Sequence, residues 1–416
     1  MRIKDIAILN PTYSGDDLGN EQVSFSPMEC LRYDNLRTYS IPFSQAKGKY
    51  TYFGNNDVLF AKVTPCFENL NTAIAQNLLN GVGFGSSEIN VLRLKEKAFS
   101  RYIFYLVCSK PFIDNGCASM CGVGGLKRIS PRAVNTFEFT LPPLGEQEAI
   151  AAYLDKECEK IGRQIELLER KADAYSSLRR SLINRAVIRG LNPNAPLKPS
   201  ESSITDKVPA HWKEQRVKDI FTEVSIKGFP NEQMLCATQS HGVIPQSMYE
   251  NRVVTALTGL ENMKLVEVGN FVISLRSFQG GIEYAYYRGI ISAAYTILQL
   301  NGNNSQEFFR YFFKSPSLIK LMKKCVTGIR EGQNINYTVL KYENIPLPPY
   351  NEQKEIAAYL DEKCGKIDAI IEKIGTKVER LKELKCSLIN EIVTGKRAIN
   401  IYKYGLERPS FSTSQR

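Results

Sequence analysis

Histidine is nearly missing from this chain: only His211 and His241 occur in 416 residues. So few imidazoles leave little scope for general acid–base chemistry near neutral pH, or for a zinc centre built on histidine. Ten cysteines are present but none forms a Cys-x-x-Cys pair, which argues against a zinc ribbon or a redox motif. They are expected to be structural thiols, with Cys158 and Cys364 at matching apolar positions, and Cys117 and Cys121 read the same way. No apolar run approaches the roughly 18–20 residues of a membrane helix. The opening Met1-Arg2-Ile3-Lys4-Asp5-Ile6 lacks the apolar core of a secretory signal. The glycine clusters Gly81-Val82-Gly83-Phe84-Gly85 and Gly122-Val123-Gly124-Gly125 lack the Lys-Ser/Thr ending of a phosphate loop, so turn or close-approach roles fit them better. With no Ser/His/Asp set and no metal-binding carboxylate cluster in view, a cytoplasmic, non-catalytic protein is expected, with no cofactor, metal or membrane partner.

What is present is ordinary globular composition, 43 % hydrophobic and 23 % charged, with an unusual formal charge of +11. The length suits two to four domains. Excess positive charge points to an acidic polymer as partner, nucleic acid first.

Residues 141–187 reappear without a gap as residues 347–393, at an offset of 206, with about half of the paired positions identical. Leu141-Pro142-Pro143-Leu144-Gly145-Glu146-Gln147 matches Leu347-Pro348-Pro349-Tyr350-Asn351-Glu352-Gln353, and Ile150-Ala151-Ala152-Tyr153-Leu154-Asp155 matches Ile356-Ala357-Ala358-Tyr359-Leu360-Asp361. The period is far longer than the roughly 20–50 residues of solenoid repeats. Two half-molecules in one chain are the simplest reading.

Within each copy apolar residues recur at alternating spacings of four and three, the signature of a helix with one buried seam. The seam of the first copy runs through Leu154, Ile161, Ile165, Leu168, Tyr175 and Leu182, with Leu178 on the same stripe. That of the second runs through Leu360, Ile367, Ile371, Ile374, Leu381 and Leu388, with Leu384 likewise. The paired prolines suit a helix entrance, and Gly190 and Gly395 suit its end. Each helix is expected to run about 40 residues, roughly 60 Å. A stripe of that length needs a partner. The expected partner is the other copy, in an antiparallel coiled coil related by a pseudo-two-fold axis, with one globular domain at each end.

The boundaries expected are a domain over 1–140, a helix over 141–190, a linker over 191–210, a second domain over 211–346, a second helix over 347–396 and a tail over 397–416. The domains begin alike, with Arg2-Ile3-Lys4-Asp5-Ile6 matching Arg216-Val217-Lys218-Asp219-Ile220. Strands are predicted at 57–62, 89–94, 270–276 and 295–300, and helices at 101–108 and 307–313. Strands and helices mixed without a βαβ rhythm make each domain α+β. The linker, rich in proline, asparagine and serine, reads as loop.

The doubled Leu-Pro-Pro, Glu-Gln and Ile-Ala-Ala-Tyr-Leu-Asp segments resemble the conserved region of the specificity (S) subunit of type I restriction–modification systems. So do Gly190-Leu191-Asn192-Pro193 and Val208-Pro209-Ala210-His211-Trp212-Lys213. The resemblance runs from the N-terminus to about residue 398. It implies two target recognition domains reading separate parts of a bipartite site on double-stranded DNA, with the helix pair setting the gap. It further implies docking of methyltransferase subunits, two in number, on the helices, with restriction subunits joining in the restriction complex. The subunit itself carries no catalysis.

For base readout and phosphate contact the chemistry requires Arg, Lys, Asn, Gln or Ser near a close-approaching backbone. Lys127 and Arg128 follow the second glycine cluster, and Arg330, Gln333 and Asn334 occupy the matching place in the second half. Lys62, Arg276, Ser277 and Gln279 follow the first predicted strands. Two other readings compete. A coiled-coil interaction scaffold without a DNA role would show little salt dependence. A self-contained adenine methyltransferase would need Asn or Asp where Leu347 precedes Pro348-Pro349-Tyr350, and leucine cannot accept the hydrogen bonds of a target amine.

Overall fold

The computed structural model describes residues 1–122, 126–249, 259–275, 277–327 and 334–400. Contacts divide the chain into two compact units, Met1–Leu168 with Thr376–Arg416, and Glu169–Gly375.

In the first unit Ala7–Leu9, Ile89–Leu94, Val58–Ala61 and Thr72–Ile74 form an antiparallel sheet in that order. All four residues of Val58–Ala61 are buried, because the strand has a core on each face. Val58 and Phe60 join the cluster of Tyr102, Ile103 and Leu106, while Leu59 joins that of Leu31, Phe53 and Val91. A second sheet runs Tyr39–Pro42, Gln22–Ser26, Val82–Gly85, Thr51–Gly54, with a parallel pair at its centre. The first glycine cluster is thus a strand. A Cβ on Gly83 would lie 2.1 Å from a ring carbon of Phe53, so the missing side chain makes room for that ring. Two helices follow, α1 (Ser100–Val107) and α2 (Lys110–Ala118), and then the long helix α3 (Leu144–Arg189).

The second unit repeats the plan. Phe221–Val224, Thr296–Leu300, Phe271–Ile273 and Glu283–Tyr284 form a sheet of the same order. Among the described residues the second layer holds two strand pairs, Leu235–Thr238 with Gly242–Pro245 and Lys264–Val266 with Gly289–Ile291, joined by a parallel bridge from Met234 to Ile290. Helices α4 (Gln306–Phe312) and α5 (Pro316–Lys324) precede the second long helix, α6 (Tyr350–Val393).

The long helices have 46 and 44 residues, more than the spacing suggested, because each starts directly after its two prolines. Gly190 and Gly395 follow their ends at φ of +71° and +70°, a conformation costly for other residues. Within each unit the pairing is antiparallel. In the first, Leu154, Cys158 and Ile161 of α3 share a core with Leu388, Ile389, Ile392 and Val393 of α6. In the second, Ile183, Ala186 and Val187 of α3 share a core with Ile356, Leu360 and Cys364 of α6. Charge favours the same sense. The first half of each helix is net acidic and the second half net basic, so antiparallel neighbours present opposite signs, as in the ion pair of Arg179 with Asp368 at 2.9 Å.

Of the seam residues, Leu154, Ile161, Leu360, Ile367, Ile374 and Leu388 are buried, and Ile165, Leu168, Tyr175, Leu182, Ile371 and Leu381 half-buried. Leu178 and Leu384, also placed on the stripe by spacing, are each 53 % exposed. A helix of about 3.6 residues per turn drifts away from a strict 3.5-residue repeat, and these repeat counterparts have left the seam together. Burial also sorts the thiols: Cys158 and Cys364 are buried, whereas Cys121 and Cys386 are exposed.

The Glu-Gln motif fastens each connector. Gln147 and Gln353 are 0 % and 1 % exposed. Gln147 Nε2 donates to the carbonyls of Lys97 and Pro142, and its Oε1 accepts from the Phe99 amide. Gln353 Nε2 donates to Asn304 Oδ1 and the Pro348 carbonyl, and its Oε1 accepts from the Ser305 amide. The linker is more ordered than its composition suggested, for Leu197–Pro199 pairs with Lys207–Pro209. Beyond it Trp212 is buried, and its indole N–H donates to Glu352 at 2.9 Å.

Candidate nucleic-acid interface

In the first unit three of the sequence-selected residues come together. Lys62 leaves the strand Val58–Ala61, and its carbonyl accepts from the Ile129 amide at 2.9 Å. Two residues on, the Thr64 amide donates to the Lys127 carbonyl at 3.0 Å, and the Lys127 amide donates back to Thr64 Oγ1 at 3.1 Å. Arg128 and Cys121 exchange backbone hydrogen bonds at 3.1 and 2.9 Å. The return of the chain is tight. A Cβ on Gly122 would lie 2.4 Å from the Leu126 carbonyl oxygen, so glycine is required there. Lys62, Lys127 and Arg128 therefore sit along one short ladder, Lys127 and Arg128 exposed and Lys62 half-buried. Residues 123–125 lie outside the described residues.

Arg128 is already engaged. Its Nη2 lies 2.6 Å from Glu88 Oε1 and its Nε 2.9 Å from Oε2. That hydrogen bonding holds the Glu88 carboxyl below its ordinary value and the guanidinium above its own. A phosphate arriving here would compete with Glu88. Lys62 opens on a cleft of about 450 Å³ lined also by Tyr13, Lys47, Tyr50 and Tyr52. The sequence patterning did not single out that aromatic wall, because Tyr13 lies far along the chain from Tyr50 and Tyr52.

In the second unit the picture is different. Ser277 is 1 % exposed, and its Oγ accepts from the Ser274 amide at 2.8 Å. It closes the turn and is not available to a base edge, which corrects the sequence expectation. Gln279 is exposed. Asn334 belongs to the two-residue strand Asn334–Ile335 paired with Val326–Thr327. Arg276, Arg330 and Gln333 lie outside the described residues.

A buried ion pair supports the turn that carries Gln279. Lys314 Nζ lies 2.7 and 2.6 Å from the two Glu283 oxygens and donates to the Gly280 carbonyl at 3.0 Å. Burial pushes the Glu283 carboxyl up to about 7, against the pull of Lys314. Periodicity could not have found the pair, since Glu283 and Lys314 stand on different elements.

These features describe two surfaces built on one plan, with Lys62 carried beyond Val58–Ala61 in the first unit and Gln279 beyond Phe271–Ile273, the matching strand, in the second. Comparison with known proteins gives the plan a family. The family model described as the type I restriction modification DNA specificity domain matches the chain twice, over residues 1–171 and 209–380. The chain belongs to this family.

Among relatives within it, the type I restriction enzyme EcoEI specificity subunit of Escherichia coli is 32 % identical over 158 residues, 37 % of this chain and 26 % of that protein. The EcoAI specificity subunit of Escherichia coli is 35 % identical over 149 residues, 35 % of this chain and 25 % of that protein. The match thus spans about a quarter of the length of those two relatives. The EcoKI specificity subunit of Escherichia coli strain K12 is 21 % identical over 329 residues, 73 % of this chain and 67 % of that protein. Among solved structures, a chain from work on assembly and conformational transition of the type I R-M system has a TM-score of 0.72 at 18 % identity, covering 95 % of this chain and 97 % of that chain. The HsdS subunit from Thermoanaerobacter tengcongensis has a TM-score of 0.52 at 19 % identity, covering 95 % and 96 %. At these identities the likeness is one of fold.

Proposed function

We propose that this protein is the DNA-reading specificity subunit of a type I restriction–modification system, with no catalytic role of its own. The observation that carries the reading is the double match of the specificity-domain family, with each match covering one sheet-and-helix domain and the start of its long helix. Two such domains read the two parts of a bipartite site in double-stranded DNA. The repeated helices are the surface on which modification subunits assemble, two of them because the surface occurs twice, and restriction subunits join the same complex. The net charge of +11 supports a polyanionic partner.

In the first domain, Lys62, Lys127 and Arg128 are the proposed phosphate and base contacts; in the second, Gln279, Arg276, Arg330, Gln333 and Asn334. Two domains of one topology whose sheets carry different loops would read different sequences, because the frame sets where a loop lies and the loop sets which hydrogen-bonding groups it offers.

The test is selection from random duplexes by the chain in complex with its modification subunits. Enrichment of two short conserved blocks separated by a spacer of constant length supports the reading. Enrichment of one continuous site, or of none, overturns it. A coiled-coil scaffold with no DNA role would bind DNA with little dependence on salt, and methyl transfer by the isolated chain would replace the non-catalytic reading.

A further inference from the structure

Asp155 and Asp361 end the repeated Ile-Ala-Ala-Tyr-Leu-Asp segments. In the first unit Asp155 Oδ1 accepts from the Tyr105 hydroxyl at 2.6 Å and from Arg101 Nε at 2.6 Å. In the second, Asp361 Oδ1 accepts from the Tyr311 hydroxyl at 2.7 Å and from Arg310 Nη2 at 2.5 Å. The tyrosines are repeat counterparts, 206 positions apart. The arginines are not. Arg101 lies one residue inside the start of α1, whereas Arg310 lies in the middle of α4. The two units thus reach the same carboxylate from different places, which points to the contact itself as the feature required.

Each arginine also stands beside a loop of its own unit. Arg101 Nη2 donates to Asp34 Oδ2 at 2.7 Å, and its Nη1 to Asp34 Oδ1. Asp34 sits at the tip of a hairpin between Leu31–Arg32 and Asn35–Leu36, with φ of +54°. Its neighbour Tyr33 lies under Lys385 of α6, whose Nζ is 4.2 Å from the ring centroid. In the second unit Tyr286, in the loop after Glu283–Tyr284, lines one cavity together with Arg310, Tyr311 and Asp361. In the first unit a continuous link therefore runs from long-helix aspartate through arginine to a hairpin, and in the second the aspartate, the arginine and a loop line one cavity.

The side chains of Asp155 and Asp361 are 43 % and 49 % exposed. Ion pairs that open to solvent add little to stability. The planar guanidinium fork, in contrast, imposes direction on what it joins. Orientation is thus the property these contacts control most strongly.

We propose that Asp155 and Asp361 are positioning residues, each fixing through its Arg–Tyr pair the angle at which a recognition domain is carried on its own helix segments, and so the spacing of the DNA site that is accepted. The inference rests on the DNA-reading function proposed above. Its test uses the full chain in complex with its modification subunits, and duplexes whose spacer is native, lengthened or shortened by about one base pair. The wild type should reject the altered spacers by about tenfold or more. The Asp155→Asn and Asp361→Asn variants should reject them by less than about threefold, with native-site affinity within about twofold and an unchanged melting temperature. Tyr105→Phe and Tyr311→Phe, which remove one hydroxyl each, should move the same ratio in the same direction and serve if the Asn variants do not fold. Folded variants that keep the wild-type spacing preference overturn the inference while leaving the DNA-reading function intact. Absence of sequence-selective binding by the wild type overturns both.

Discussion

The Asn184 side-chain oxygen accepts the backbone N–H of Ser317 at 3.0 Å, tying α3 to the first turn of α5. Its repeat counterpart, Asn390, is equally placed on α6, yet its side-chain oxygen is buried without a hydrogen-bond partner among the described residues. The residue corresponding to Ser317 is Pro111, and proline has no N–H to offer. Asn184→Leu should therefore destabilise by about 1–2 kcal/mol, because it strands the Ser317 amide, whereas Asn390→Leu should be neutral or stabilising. Chemical denaturation of both variants checks the asymmetry, and equal losses would refute it.

Gln147 and Gln353 each make three hydrogen bonds from a buried side chain. Replacing either with methionine keeps the volume but leaves buried carbonyls and an amide unpaired. A loss of about 2–4 kcal/mol is expected for each, measured by denaturant midpoint at constant slope. Gln147→Glu should be no milder, since it removes the donors and buries a carboxylate.

The methyl group of Gly83→Ala would start 2.1 Å from the Phe53 ring. Both residues lie inside strands, so neither can swing clear. Destabilisation of about 1–3 kcal/mol is expected, and the double variant Gly83→Ala with Phe53→Leu should recover part of it. No recovery would mean that the backbone, not the ring, sets the cost.

Burial holds Glu283 at about 7, above the ordinary carboxylate value of 4.5. The folded protein therefore keeps a proton that the unfolded chain releases between those two values. The sign follows: this group's favourable contribution is complete below about 4.5 and is lost as pH rises through about 7. The stability of the wild type relative to Glu283→Gln should fall across that window, by on the order of 3 kcal/mol. A pH-independent difference between the two proteins would contradict the assignment.

Lys127 is exposed and carries its charge beside the ladder that Thr64 anchors. If it neutralises a phosphate, Lys127→Ala should weaken binding to all duplexes alike and lower the slope of log affinity against log salt by about one. Weakening confined to one base position would instead make it a base reader.

Much of this organisation is legible along the chain, and the limits of legibility have a cause. The 206-residue offset is plain from Leu141 onward, where helix seam, buried glutamine and paired prolines constrain identity. It continues unseen back to Phe99 and Ser305, whose amides meet the two glutamines in the same way. Ser130 and Asn336, also 206 apart, both cap short helices. Between those points the core asks only for bulk: Tyr102, Ile103 and Leu106 stand where Phe308, Phe309 and Phe312 stand. Apolar residues of similar volume interchange there, so the fold persists where the sequence match fades.

Ser277 marks the opposite failure. Its residue type suits a base contact, but whether a serine faces solvent or closes a turn depends on what surrounds it, and here the hydroxyl accepts from Ser274.

The sequence alone determined the doubled plan, the two long helices and the family, because a periodic apolar stripe and a repeated motif are local properties of a chain. Only the tertiary structure decided which residues of the antiparallel pair share a core. It also decided that Leu178 and Leu384 leave the seam, and that one aspartate in each repeat is held by arginines from unrelated positions. Those outcomes depend on distances between residues far apart in the chain, which no local pattern encodes.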